Sequence, residues 1–187
     1  DQAGNNVIST SKYSMNANYA LVIENCEVVD LDKNHSFDFL KAYRHTFADS
    51  IQIINTQMVN VTGAVMTLDM EVEDLGIYNV ENVKIEGSTF KDVKGAIANV
   101  YRGGTDESTF GPIMTISDVV VENSGKGKRN KTGAAFRFHG IQKLHINQVE
   151  IKDSEGIDLH LTNGEPITQI ADVRFVNSPG IKANNNE

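Results

Sequence analysis

Apolar and polar residues alternate over short stretches along this chain. Phe136-Arg137-Phe138-His139 and Ile157-Asp158-Leu159-His160-Leu161 are the cleanest cases. A period of two predicts strands with Phe136, Phe138, Ile157, Leu159 and Leu161 on one face and Arg137, His139, Asp158 and His160 on the other. The strands recur in register. Ile23, Ile53, Ile85, Ile116, Ile146 and Ile170 are separated by 30, 32, 31, 30 and 24 residues. Five positions after each isoleucine stands a large apolar residue: Val28, Met58, Phe90, Val121, Ile151, Phe175. Seven positions after each stands Asp or Asn: Asp30, Asn60, Asp92, Asn123, Asp153, Asn177. Leu31, Val61, Val93, Ser124, Ser154 and Ser178 follow, and Gly63, Gly95, Gly125, Gly156 and Gly180 close five of the six copies. A second strand begins after the bend at Gly95, Ala96 to Val100. Its counterparts are Ala64 to Leu68, Ala134 to Phe138 and Ile157 to Leu161.

A unit of about 30 residues built from short strands cannot bury its own apolar face, whereas stacked units can. The predicted fold is therefore all-β: a right-handed parallel β-helix (a solenoid) of about six coils, with residues 1–187 forming a single domain. In it the Ile, Val and Phe columns become internal ladders. The Asp/Asn column marks one turn repeated in every coil, where short polar side chains bond to backbone and tolerate bent conformations. Asp and Asn share that column with little regard to charge. A leucine-rich repeat lacks its leucine spacing here, and a sandwich would not keep six columns in register.

Composition agrees. The chain has 18 Val and 17 Ile against 8 Leu and 12 Ala, a bias toward strands. Its 19 Asn and 15 Gly suit frequent turns. Net charge is −8, which argues against wholesale binding of nucleic acid. No apolar run is long enough to cross a bilayer, so no membrane partner is expected. Within this acidic chain Asn123 to Val149 has no Asp or Glu but carries Lys126, Lys128, Arg129, Lys131, Arg137, Lys143, His139 and His145. That stretch reads as a basic strip able to hold an anionic ligand, though Lys126 to Lys131 alone reads as a solvated loop. The lone Cys26 can form no internal disulfide and reads as a small core residue. Asn60-Val61-Thr62 and Asn130-Lys131-Thr132 fit the glycosylation pattern, which occurs often by chance. Asp1 and the closing Asn184-Asn185-Asn186-Glu187 read as cut or processed ends of a longer protein.

Coil-to-coil length differences fall in loops. Two long ones, Asp69 to Asn79 and Tyr101 to Pro112, are expected side by side at one corner above the basic strip; Gly125 to Thr132 is a third, at another corner. Arg102, Arg137 and His139 suit the carboxylates of an acidic sugar polymer, and Tyr101 offers a flat surface to a sugar ring. Asp106 and Glu107 either bond hydroxyls or brace Arg102 as ion-pair partners. The expected substrate-binding set is Tyr101, Arg102, Asp106, Glu107, Arg137 and His139. Lys41, Tyr43, Arg44 and His45 either extend the basic groove or form an ordinary strand end. His139 alone is a weak candidate base. The acidic run Asp69, Glu71, Glu73 and Asp74 reads as a solvated turn ahead of a Ca²⁺ site. The five histidines show no ligand spacing, so no metal site is expected.

Tyr101-Arg102-Gly103-Gly104-Thr105-Asp106-Glu107-Ser108-Thr109-Phe110-Gly111-Pro112 resembles a stretch of the alginate lyases of polysaccharide lyase family 6, the chondroitinase B type. Phe39-Leu40-Lys41-Ala42-Tyr43, Thr46-Phe47-Ala48-Asp49-Ser50 and Gly133-Ala134-Ala135-Phe136-Arg137-Phe138-His139-Gly140 are similar as well. The resemblance spans about residues 19 to 180 and is to the second, C-terminal β-helix of two-domain members. It implies a bacterial enzyme, secreted or periplasmic, that cleaves acidic polysaccharide by β-elimination. In the family a Lys removes the proton beside the uronate carboxylate, an Arg assists, and Ca²⁺ usually neutralises the carboxylate. Those residues belong to the first domain. No stretch here matches that motif, so no catalytic residue and no cofactor is carried over to this chain.

Whether the chain is itself an enzyme stays open at this point. One reading is a domain accessory to a covalently linked N-terminal catalytic β-helix, with alginate as partner. The alternatives are a self-sufficient lyase with its site near Arg102, and a non-catalytic carbohydrate-binding or structural β-helix. Open coil ends allow a dimer.

Overall fold

In the computed structural model, residues 7–9, 20–31, 38–42, 48–68, 80–101, 112–128, 130, 133–139, 141–161 and 167–185 are described. Among them every element is a strand. In chain order these are β1 (Ile8–Ser9), β2 (Ala20–Glu24), β3 (Glu27–Val29), β4 (Leu40–Ala42), β5 (Ala48–Ile54), β6 (Gln57–Val59), β7 (Met66–Leu68) and β8 (Val80–Glu86). There follow β9 (Thr89–Lys91), β10 (Ala98–Tyr101), β11 (Ile113–Glu122), β12 (Phe136–His139), β13 (Lys143–Lys152), β14 (Ile157–Leu161), β15 (Ile167–Val176) and β16 (Ile181–Asn185). All pairings are parallel and run from one coil to the next, which makes a β-solenoid.

Each coil contributes three segments. The first wall is a sheet ordered β1-β4-β7-β10-β12-β14-β16. The second wall stacks β2, β5, β8 and the first halves of β11, β13 and β15; the third stacks β3, β6, β9 and the second halves of the same long strands. The expected count of about six coils is slightly off, since the first wall is seven strands deep. The isoleucine column is in register as expected, Ile23 beside Ile53, Ile85, Ile116, Ile146 and Ile170. Val28, Met58, Phe90, Val121, Ile151 and Phe175 align likewise. Apart from Ile170, which is exposed in the last coil, these columns and the inward members of the first wall, Leu40, Met66, Ala98, Phe136 and Ile157 among them, form one core cluster, with Val28 and Phe175 packed against it. Phe136 and Phe138 lie with ring centroids 5.9 Å apart. On the first wall Ile157 aligns with Phe136 and not with Ala134.

Two corners, not one, are built from left-handed residues. The Asp/Asn column has φ between 47 and 58° in all six coils, a conformation that Asn and Asp tolerate better than most side chains. Asn25, Asn55, Gly87, Asp118, Gln148 and Asp172 form a second such column, φ 47 to 59°, between the second and third walls. The backbone N–H groups at both corners still bond to the next coil; Asn55 N–H donates to Glu86 O at 2.9 Å and Asp92 N–H to Glu122 O at 3.0 Å. Turning therefore leaves these corner donors satisfied.

The residue after each corner decides how sharp it is. After the corner between the second and third walls stand Cys26, Thr56 and Ser88, then Val119, Val149 and Val173. Thr56 Oγ1 donates to Ile54 O at 2.9 Å and Ser88 Oγ to Glu86 O at 2.8 Å. Such back-bonding competes with strand geometry, and here the strand is split in two. Valine offers no such bond, and β11, β13 and β15 run on as ten-residue strands. Cys26 belongs to this column. It is exposed, with Sγ 3.3 Å from Glu24 O, so the expectation of a buried cysteine is corrected: a place at a corner of the first coil outweighs its apolar character. At the Asp/Asn corner the order is reversed, with hydroxyls in the later coils. Ser124 Oγ accepts from Val93 N–H at 3.2 Å, and Ser154 Oγ from Ser124 N–H at 2.9 Å.

The Asp/Asn column is not indifferent to charge. Asp and Asn alternate strictly, and Asn60, Asn123 and Asn177 each donate Nδ2–H to Oδ1 of the Asp one coil before, the last at 3.0 Å. Alternation keeps carboxylates two coils apart. Glycines close the coils for a different reason. A Cβ on Gly95 would strike the backbone of Gly63 and Ala64, and one on Gly156 the backbone of Gly180. Neighbouring coils approach too closely there for any side chain.

Candidate functional site

The first wall carries an outward column that is polar along its whole height. Strand register places Ser9, Lys41, Thr67, Asn99, Arg137, Asp158 and Lys182 on successive rungs. A second column, two residues on, is Tyr101, His139, His160 and Asn184 by backbone register. Adjacent rungs are about 4.8 Å apart, as in any parallel sheet. Thr67 is 6% exposed and Asp158 7%, although their chain neighbours take the core-facing positions. Lys41, Asn99, Arg137 and His139 are half-buried. At Thr67 and Asp158 the column points away from the core yet is shielded from solvent, a setting where charge acts more strongly than on an open surface.

Arg137 is central to it. Its Nη1 donates to Asn99 Oδ1 at 3.4 Å, a weak bond, and it stands one rung from Asp158. Of the six residues expected to bind substrate, the fold brings together Arg137, His139 and, by backbone position, Tyr101, which pairs in register with His139. Arg102, Asp106 and Glu107 lie outside the described residues, as do Tyr43, Arg44 and His45 and the acidic run Asp69, Glu71, Glu73 and Asp74. Thr67 and Asn99 were not singled out from the sequence. The signal was available: each is the polar member of the same two-residue alternation that places Arg137.

The acid-free stretch is not one surface. It makes one full coil, so its cations point in different directions. Arg137 is on the first wall, whereas Lys143 and His145 are on the second, with His145 Nδ1 3.1 Å from Gln169 Oε1. Lys126 and Lys128 are exposed at a corner. There Asn130 Nδ2 donates to Gly125 O at 2.9 Å and Ala134 O at 2.8 Å, so that segment is a braced turn. On the third wall the charges neutralise one another. Lys152 Nζ lies 2.8 Å from Glu150, Arg174 Nη1 3.3 Å from Glu150, and Lys91 Nζ 3.1 Å from Glu122. The hydrogen bond from Lys152 lowers the Glu150 carboxyl below its ordinary range, desolvation opposing, and Glu150 in turn raises the Lys152 ammonium. Among the described residues no three His, Cys, Asp or Glu side chains converge as a bound cation requires. No described helix is long and apolar enough to cross a membrane.

Neither the family models nor the curated proteins offer a match. Solved structures do. The alginate lyase AlyGC of the PL6 family superposes with a TM-score of 0.89 at 43% identity, over 98% of this chain and 25% of its own. A mutant of the same enzyme, an arginine replaced by alanine, superposes with a TM-score of 0.88 at 41% identity, over 100% and 26%. The chain resembles polysaccharide lyase family 6. At this identity the resemblance covers sequence as well as fold, and it holds for nearly all of the chain. The chain spans about a quarter of the length of the structures it matches.

Proposed function

We propose that this chain is the second, C-terminal β-helix of an alginate-degrading lyase and serves a catalytic β-helix linked to it on the N-terminal side. It supplies a wall of the substrate groove and braces its neighbour, and it cleaves nothing alone. The observation that carries this is the coverage: 43% identity over 98% of this chain corresponds to only 25% of an alginate lyase. A lyase needs a base, a group that neutralises the uronate carboxylate and a proton donor in one groove. The shielded column around Arg137 supplies cations and hydrogen-bonding groups, suited to holding an acidic polysaccharide. Tyr101, Arg102, Asp106, Glu107, Arg137 and His139 are its proposed contacts. No cofactor is assigned to this chain, and secretion follows from an extracellular polymer as substrate.

The test is to incubate the chain alone with alginate, follow the ultraviolet absorbance of new unsaturated ends, and measure oligosaccharide binding by calorimetry. The expected result is binding without cleavage, with binding lost in Arg137→Ala. Cleavage abolished by Arg102→Ala would overturn the accessory reading in favour of a self-sufficient lyase. Absence of binding would leave a structural β-helix.

A further inference from the structure

The outward column of the first wall contains one carboxylate, and its position is unusual. Asp158 stands one rung from Arg137 on one side and one rung from Lys182 on the other, about 4.8 Å in each direction. It is 7% exposed, between Ile157 and Leu159, which belong to the core cluster. The register places a cation on each side of it. The other described rungs, Lys41, Thr67 and Asn99, are cationic or neutral.

We propose that Asp158 is a built-in counter-anion of this wall. It takes the place between two cations that a ligand carboxylate would otherwise occupy, and so limits how tightly the wall holds a polyuronate. The inference rests on the accessory-domain reading and sharpens it. A polyanion lying along the column meets Lys41, Arg137 and Lys182 as attractive rungs and Asp158 as a repulsive one. At that rung an uncharged part of the polymer is favoured, since a carboxylate repels another carboxylate. The wall thus discriminates by the spacing of charge along the polymer, and a lyase that must release its product gains from a surface that does not bind it too firmly.

The inference predicts a gain of binding from loss of a charge, the opposite of what a bracing role predicts. Asp158→Asn is expected to bind alginate oligosaccharides on the order of threefold to tenfold more tightly than the native chain, with a steeper dependence on salt. Unchanged or weaker binding by a variant with native circular dichroism and melting would overturn it. Should Asp158→Asn fail to fold, Lys182→Gln, at an exposed position, gives the second measurement. Asp158 then faces Arg137 alone, and affinity falls to within about twofold of that of Arg137→Ala; native affinity in Lys182→Gln would overturn the inference. Binding by the native chain that is lost in Arg137→Ala but not improved in Asp158→Asn refutes this inference alone. No binding by any of these chains refutes the accessory-domain reading with it.

Discussion

The first and third walls share one interior and differ outside. Inward, both present fully buried columns, Phe136 and Phe138 on one and Met58 and Phe90 on the other. Outward, the third wall spends its charges on one another: Lys91 with Glu122, and Lys152 and Arg174 with Glu150. Those side chains are 25 to 73% exposed, and pairs in that setting contribute little to stability. The first wall keeps Thr67 and Asp158 out of water and lines up Lys41, Arg137 and Lys182 with a single carboxylate. The difference teaches where a solenoid is free to specialise. Alternate positions on every wall are claimed by the core, and the rest are free. One wall uses them for mutual neutralisation and another for a partly shielded row of charge.

The comparison can be broken at several points. Phe136→Ala and Phe90→Ala, on opposite walls, should each cost about 3–5 kcal/mol in denaturant unfolding, because the interior is common to both. A clearly smaller cost on one side would mean the walls are not packed alike. Arg137→Ala should weaken oligosaccharide binding about tenfold or more, as loss of one charge-assisted contact does. Lys91→Ala on the third wall should leave affinity within about twofold, and equal losses would end the distinction between the two faces. At the corner beside the third wall, Asn123→Asp puts like charges on three successive coils. Repulsion raises the pKa of the new carboxyl in the folded state, so the penalty, about 1 kcal/mol at neutral pH, is fully present above that raised value. It disappears as pH falls through it, and melting at several pH values reads this directly.

The smallest effect belongs to the exposed pair. The folded Glu150 carboxyl lies below its ordinary value of 4.5 because Lys152 bonds it. Its contribution to stability is present above that ordinary value and is lost as pH falls through the lower, folded one. The raised Lys152 ammonium contributes below its ordinary value of 10.5 and is lost as pH rises through the folded one. Glu150→Gln should therefore lower the melting temperature slightly at neutral pH, with no difference from the native chain in strong acid. A difference that persists in acid would mean that the side chain matters through packing.

Much of this was legible in the chain. The isoleucine column and its partners at five and seven positions repeat closely enough that only a stacked β-helix satisfies them, and the structure puts both apolar columns in register. The second left-handed corner went unread because its column, Asn25, Asn55, Gly87, Asp118, Gln148 and Asp172, holds four residue types that share a tolerance for positive φ and little else. Cys26 was misread because an apolar neighbourhood in sequence says nothing about which coil lies at the end of a stack. Of the candidate site, Arg137 and His139 were found by alternation. Thr67 and Asn99 were passed over as chemically plain, and the Arg102 stretch lies outside the described residues.

By itself the sequence determined the fold, because a spacing near 30 residues and a period of two leave few ways to bury Ile, Val and Phe. It also determined which side chains point outward, since alternation settles that strand by strand. Only the tertiary structure decided which outward residues become neighbours. Register brings Lys41, Asn99, Arg137, Asp158 and Lys182, dispersed over some 140 residues of chain, into one column about 4.8 Å per step. The same register sends the acid-free stretch around the coil and so separates its cations. Adjacency across coils depends on the exact length of every turn between them, and that sum is fixed only when the coils close on one another.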